Sequence, residues 1–262
     1  MATVLLFSLD GVRPDAIERA TTPTLDRLKQ QGAWTGRART VMPSVTLPCH
    51  QSMLRGVPVE RHGITSNRFQ PLARPVPSLI EAAHAAGKRV GFFYNWEQLR
   101  DLADPGSVEV AYFRRDCYSA EGDQRIATAA ETHLKREPYD FALIYFGWTD
   151  ECAHRTGWMS DPYLRAIENA DACVGQILQA LPNPDEAIVL VMSDHGGHDR
   201  SHGTDRDEDM LIPWILSGRG VRPATELDGE VKIFDTCPTL AHLLGIPPAP
   251  EWEGRVVIEA LA

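Results

Sequence analysis

The chain has 262 residues, 43% of them hydrophobic and 24% charged, and a formal net charge of −10. That length suits one large domain built on a single core, and the composition is globular rather than fibrous or disordered. The acidic balance argues against non-specific binding to nucleic acid or anionic membranes, though not against an anionic small molecule, since bound divalent metals reverse a local field. Five scattered cysteines (Cys49, Cys117, Cys152, Cys173, Cys237), with no CxxC pair, suit free thiols in a reducing compartment. No signal peptide or membrane span precedes the first strand pattern, and the expected location is cytoplasmic.

Strand and helix patterns alternate along the chain. Residues 3–9 (TVLLFSL) form an apolar run ending in Asp10-Gly11, and Thr22-Pro23 opens a helix that Gly32 ends. A strand over 33–41 leads to PSVTLPCH at 43–50, behind which a helix runs to about Arg55 and stops at Gly56. Next come a helix at 78–86, a strand at 89–94, an alanine-rich helix at 120–137, a strand at 141–146 and a long helix at 161–180. Strands at 188–192 and 212–216 and a helix at 237–244 complete the series. The alternation predicts an α/β fold, a mainly parallel central sheet with helices on both faces, in one domain over 1–262 without repeats. The irregular stretch 61–77 is long enough to be a functional loop.

The chain is organised around residues 188–205, IVLVMSDHGGHDRSHGTD. Its β-branched run reads as a strand buried on both faces, and Ser193-Asp194-His195-Gly196-Gly197 lies just past the carboxyl end, where open α/β sheets place their sites. Paired glycines beside a carboxylate and an imidazole suggest metal ligation with the backbone brought close; a polar turn is the plain alternative. Two other strand tips carry similar residues: Asp10, and the pair Asp150 and His154, which face one way on a helical turn. Asp10 also suits a turn and His154 a surface helix, whereas Asp194 and His195 at a buried strand end require partners. Nitrogen and carboxylate ligands favour zinc, and these five residues with His202 make six that divide into two ions, the arrangement that clamps both oxygens of an in-line phosphoryl displacement. Thr46 before a helix is either an N-cap or a nucleophile beside a phosphate-binding helix terminus.

In this order, Asp10-Gly11, the Thr46 loop, Asp150 with His154, Ser193-Asp194-His195-Gly196 and His202-Gly203 resemble the alkaline phosphatase superfamily, and within it the type I phosphodiesterase/nucleotide pyrophosphatase family. Asp161-Pro162-Tyr163 with Asp171, Pro213, and Asp235-Thr236-Cys237-Pro238-Thr239-Leu240-Ala241 with Leu243-Leu244-Gly245 extend the likeness over essentially the whole chain. The resemblance implies an alkaline-phosphatase-like three-layer α/β/α sandwich, and as a departure from the family the chain is expected to lack room for a substantial cap domain. It implies two divalent ions, Zn2+ by type. Asp10, Asp194 and His195 would hold one, which also contacts Thr46; Asp150, His154 and His202 would hold the other. Thr46 matches the nucleophile that forms a phosphothreonine, and Asn67 the phosphate-binding asparagine. Cys49 departs from the asparagine of many relatives, and the short interval from Asp194 to His202 leaves His198 as a competing ligand.

The expected activity is cleavage of phosphodiester or pyrophosphate bonds in a small phosphate ester, possibly a nucleotide, with no polymer or membrane partner. A phosphomonoesterase or a metal-binding pseudoenzyme on the same scaffold are the alternatives; a sulfatase is disfavoured, since its motif cysteine is a threonine here. The acidic run Asp205, Asp207, Glu208, Asp209 reads as a third cation site or a solvated loop. Arg55, Arg61 and Arg68 read as phosphate contacts or as charge balance, and Trp148 and Trp158 as base-stacking or packing residues.

Overall fold

The computed structural model describes residues 3–68, 70–72 and 74–262, so two positions of the 61–77 stretch lie outside the described residues. In chain order the elements are β1 (Val4–Leu9), α1 (Pro14–Ile17), α2 (Pro23–Gln31), β2 (Gly32–Arg39), α3 (Thr46–Arg55) and α4 (Val59–His62). There follow α5 (Leu79–Ala85), β3 (Val90–Tyr94), β4 (Val110–Phe113), α6 (Ala120–Arg136), β5 (Phe141–Phe146) and α7 (Trp148–Thr156). The last are α8 (Asp161–Ala180), β6 (Ile188–Met192), α9 (Asp207–Met210), β7 (Leu211–Gly218), β8 (Thr225–Glu226) and α10 (Thr236–Leu243).

The eight strands form one sheet in the order β4-β3-β5-β1-β6-β7-β2-β8. From β4 to β6 all pairs are parallel. β7 runs antiparallel to both β6 and β2. β1, β5 and β6 are buried along their whole length, which is why they read as unbroken apolar runs. Successive residues of β1 enter different cores: Val4 and Leu6 join Leu47 and Met53 of α3, Leu79 of α5 and Leu240 of α10. Leu5, Phe7 and Leu9 join Leu25 of α2, Ile126 of α6, and Ile167 and Val174 of α8. The period-two alternation thus sets a helical layer on each face, the three-layer α/β/α arrangement, and each such side chain contributes about 1.5–3 kcal/mol by burial.

Most expected elements lie within two residues of their predicted ends. The strands that the sequence does not announce sit at the edges of the sheet. β4 alternates half-buried and exposed residues over four positions, and β8 has two residues, too little pattern to announce a strand. α7 also runs longer than the single turn its Asp/His spacing suggests, reaching Thr156. Among the described residues no helix is long and apolar enough to cross a membrane.

Candidate active site

β5, β1 and β6 are neighbours in the sheet, and the chain beyond each carboxyl end carries the residues singled out above. Asp10 follows β1 and extends its ladder by donating its N–H to Phe146 O at 3.0 Å. Gly11 then turns with φ +66°, and a Cβ there would lie 2.9 Å from Asp150 Oδ1. Only glycine lets this tip approach Asp150. Beyond β6 the paired glycines serve the same end: a Cβ on Gly196 would stand 2.0 Å from Glu208 O, and one on Gly197 2.2 Å from the Trp158 ring.

Two groups of three result. Asp10, Asp194 and His195 offer ligand atoms within 4.8 Å of one another, as do Asp150, His154 and His202. The rings of His195 and His202 stack at 3.9 Å and join the groups. His198 belongs to neither: its Nδ1 meets Asp209 Oδ1 at 2.7 Å, and Asp209 Oδ2 accepts from the backbone and hydroxyl of Thr204. Asp209 is therefore a loop clamp, and Asp207 pairs with Arg39 on the surface.

Each histidine is held from behind. Nδ1 of His195 lies 2.8 Å from Gly196 O, that of His154 2.9 Å from Arg200 O, and that of His202 2.8 Å from Ser44 O. A carbonyl only accepts, so each Nδ1 carries a proton and each Nε2 is turned toward the carboxylates. His195 Nε2 lies 3.3 Å from Asp10 Oδ1 and 3.5 Å from Asp194 Oδ2. His154 Nε2 is 3.3 Å from Asp150 Oδ2, and His202 Nε2 3.8 Å from Asp150 Oδ1.

The electrostatics are unfavourable without a cation. Burial, with the charges of Asp194 and Asp150, holds Asp10 well above the usual carboxylate range. Burial raises Asp194 to about 7 and lowers His195 to about 3. At Asp150 burial is outweighed by His154, His195 and His202, and its pKa falls, while the bond to Asp150 raises His154 to about 9. Asp10 Oδ1, Asp150 Oδ1 and Asp194 Oδ2 are buried without a hydrogen-bond partner. Orphaned buried carboxylate oxygens are costly, and three of them converging with imidazole nitrogens fit a pair of divalent ions.

Thr46 is the first residue of α3 and is 3% exposed. Its hydroxyl lies 3.2 Å from His195 Nε2, and with the ring proton on Nδ1 it donates to that nitrogen. One turn on, His50 donates Nδ1–H to Thr46 O and accepts from Ser8 Oγ through Nε2. Asn67 Oδ1 accepts the Leu47 N–H at 2.9 Å, which brings the asparagine beside Thr46. Cys49 points into the core, where Thr40 Oγ1 donates to its sulfur and burial pushes its pKa up. Cys152 is also buried and lies outside both groups.

Two of the three candidate arginines are engaged elsewhere, and both tryptophans are packed. Arg55 donates to Gln51 Oε1 and Val76 O and faces Glu81. Arg61 reaches Arg74 O. Trp158 donates Nε1–H to Gly11 O and meets His154 edge-on, so it packs the site. Trp148 carries the Arg155 guanidinium 5.3 Å from its ring. Sequence gives no sign of Tyr145, whose hydroxyl donates to Asp10 Oδ2; within FALIYF it reads as one more core residue.

A family model described as type I phosphodiesterase / nucleotide pyrophosphatase matches residues 4–76 and 73–211. Rat ectonucleotide pyrophosphatase/phosphodiesterase family member 1 is 28% identical over 224 residues, 73% of this chain and 24% of the relative. The venom phosphodiesterase of Macrovipera lebetinus is 24% identical over 214 residues, 74% of this chain and 25% of its own length. The chain thus spans about a quarter of these two curated relatives. Among solved structures, an inactive threonine-to-alanine variant of murine ectonucleotide pyrophosphatase/phosphodiesterase 5, in complex with AMP, superposes with a TM-score of 0.80 at 16% identity, covering all of both chains.

Proposed function

Because the chain belongs to the type I phosphodiesterase/nucleotide pyrophosphatase family, we propose that it is a hydrolase that cleaves phosphodiester or pyrophosphate bonds of a small, nucleotide-like ester through a phosphothreonine on Thr46. The observation that carries the reading is the Thr46 hydroxyl at the first turn of α3, 3.2 Å from His195 Nε2 and beside two groups of cation ligands. Asp10, Asp194 and His195 would hold one divalent ion and Asp150, His154 and His202 a second, zinc by the nitrogen and carboxylate character of the donors. Bound there, the ions would supply charge neutralisation for the phosphoryl group and acidify the attacking hydroxyl.

The chain's own residues do the rest. Thr46 loses its hydroxyl proton as Oγ1 bonds to phosphorus and the bond to the leaving oxygen breaks, the leaving group taking up a proton; water then attacks phosphorus, breaks its bond to Oγ1 and gives a proton back to the Thr46 hydroxyl. At the N-terminus of α3 the Leu47 N–H is held by Asn67, Pro48 has none and the Cys49 N–H bonds to Val45 O, so the backbone donor there that could meet the transferred phosphoryl is the Thr46 N–H. Asn67 sits at that terminus and brings hydrogen-bond donors without charge. A monoester dianion calls for a positive partner, and Arg55, at the far end of α3 from Thr46, is buried against Gln51 and Glu81. A diester monoanion requires less compensation. The AMP held by the murine relative, and the threonine replaced in that inactive variant, support both the substrate class and the nucleophile.

Purified protein should carry about two divalent ions per chain and lose turnover when they are chelated. With matched p-nitrophenyl esters, kcat/KM should favour the diester by roughly two to three orders of magnitude, the scale of a few kcal/mol of charge matching. A tenfold advantage for the monoester overturns the diesterase reading.

A further inference from the structure

We propose that the Tyr145 hydroxyl fixes Asp10 as a one-oxygen ligand and thereby sets the Asp10–Asp194–His195 site for an ion of low coordination number. The inference rests on the two-ion reading and adds a positioning residue to it. Tyr145 is 1% exposed on β5, edge-on to the His50 ring at 5.5 Å, and its hydroxyl donates to Asp10 Oδ2. Register fixes both partners: Ser8 lies opposite Tyr145, Leu9 opposite Phe146, and Asp10 N–H bonds to Phe146 O. Neither the donor nor the carboxylate has room to drift.

The consequence lies in which oxygens remain. With Oδ2 engaged, Asp10 presents only Oδ1, which is buried without a partner. Asp194 is divided the same way: Oδ1 accepts the N–H groups of Gly11 and His195, and Oδ2 makes no hydrogen bond, with His50 Nδ1 at 3.4 Å and His195 Nε2 at 3.5 Å. His195 adds one nitrogen, because its Nδ1–H is spent on Gly196 O. Three single-atom ligands with an open position match the four-coordinate preference of zinc. Larger or harder ions seek six or more oxygens and gain from bidentate carboxylates. The groups behind a metal's ligands commonly set its affinity, and this hydroxyl is such a group.

The test is Tyr145→Phe, which keeps the ring and removes the donor. Zinc affinity, titrated against a competing chelator, should fall about 10–100-fold at one of the two sites. The preference for zinc over manganese should narrow, and the visible absorption of the cobalt-substituted protein should weaken as coordination expands beyond four. In an Asp10→Asn background the same change should have no further effect, since the two act through one contact. Unchanged zinc affinity and cobalt spectrum, or additive losses in the double variant, overturn the inference while the two-ion reading stands. Wild-type protein that binds no ions overturns both. Should Tyr145→Phe fail to fold, 3-fluorotyrosine at position 145 keeps the hydroxyl and alters its donor strength, and an unshifted zinc affinity then overturns the proposal.

Discussion

Asp10, Asp194 and His195 stand on the tips of two hydrogen-bonded parallel strands, whereas Asp150, His154 and His202 come from a helix and a loop. The first group is at most 3% exposed, and the register from Val4 opposite Ile188 to Ser8 opposite Met192 sets its spacing. In the second, the His154 side chain is 37% exposed, and His202 is held through Ser44 O and the Asp209 clamp rather than by the sheet. A sheet fixes inner ligands as a by-product of its ladder, while outer ligands need dedicated contacts that can be removed one at a time.

The largest expected effect lies at the inner group, where Thr46 meets His195. Thr46→Ala should lower turnover by about a thousandfold or more while leaving fold and metal content intact, because only the attacking oxygen is lost. Thr46→Ser should stay within roughly tenfold of wild type, since the hydroxyl remains. Steady-state rates with metal analysis of each variant check both statements. A Thr46→Ala protein nearly as fast as wild type would reduce the inner group to a structural metal site with no covalent step.

A smaller effect sharpens the contrast between the groups. His202→Ala should leave one ion bound with wild-type affinity and lose the other. His198→Ala touches only the clamp, and should weaken that same outer ion by roughly 10–100-fold, the usual cost of a change behind a ligand. Chelator titration with metal counting separates the outcomes. If His198→Ala strips an ion and His202→Ala does not, the outer ligand is misassigned.

The inner group was the more legible one in sequence, for the same physical reason. A strand buried on both faces must be an apolar run, so Asp10 and Asp194 stand out where such runs end. Asp150 and His154 showed through their spacing of four. The resemblance selects His202 with His198 competing, and spacing alone does not settle between them, because their difference rests on Asp209, eleven residues from His198 and buried by a loop that no periodicity describes. Tyr145 stayed hidden because a strand tyrosine's hydroxyl leaves no trace in an apolar pattern. β4 and β8 were missed because edge strands are short and half solvated.

The smallest effect concerns the helix that carries the outer group. Asp123 of α6 is fully buried; its Oδ1 accepts from Asn95 Nδ2 at 2.7 Å and from Trp148 N at 3.4 Å, the first residue of α7. Asn95 Oδ1 in turn accepts the Gly147 N–H. Asp123 Oδ2 has no partner, and burial raises the carboxyl from 3.8 to about 7 against the pull of these hydrogen bonds. Below pH 3.8 the folded and unfolded chains both hold the proton. Between 3.8 and about 7 only the folded chain keeps it, so this group's contribution to stability declines as pH rises. Above about 7 both states are ionised and the loss is constant. Asp123→Asn has no proton to lose and still accepts from Asn95 and Trp148 through Oδ1. Relative to wild type it should therefore gain stability by roughly 1–3 kcal/mol between pH 5 and pH 7, and hold that gain at pH 8. Urea unfolding of both proteins at equal metal loading measures the difference, since pH effects from every other group are shared. A difference that is flat across this range would mean that Asp123 is ionised in the folded protein throughout, and that α7 is capped by a carboxylate whose charge the surroundings accept.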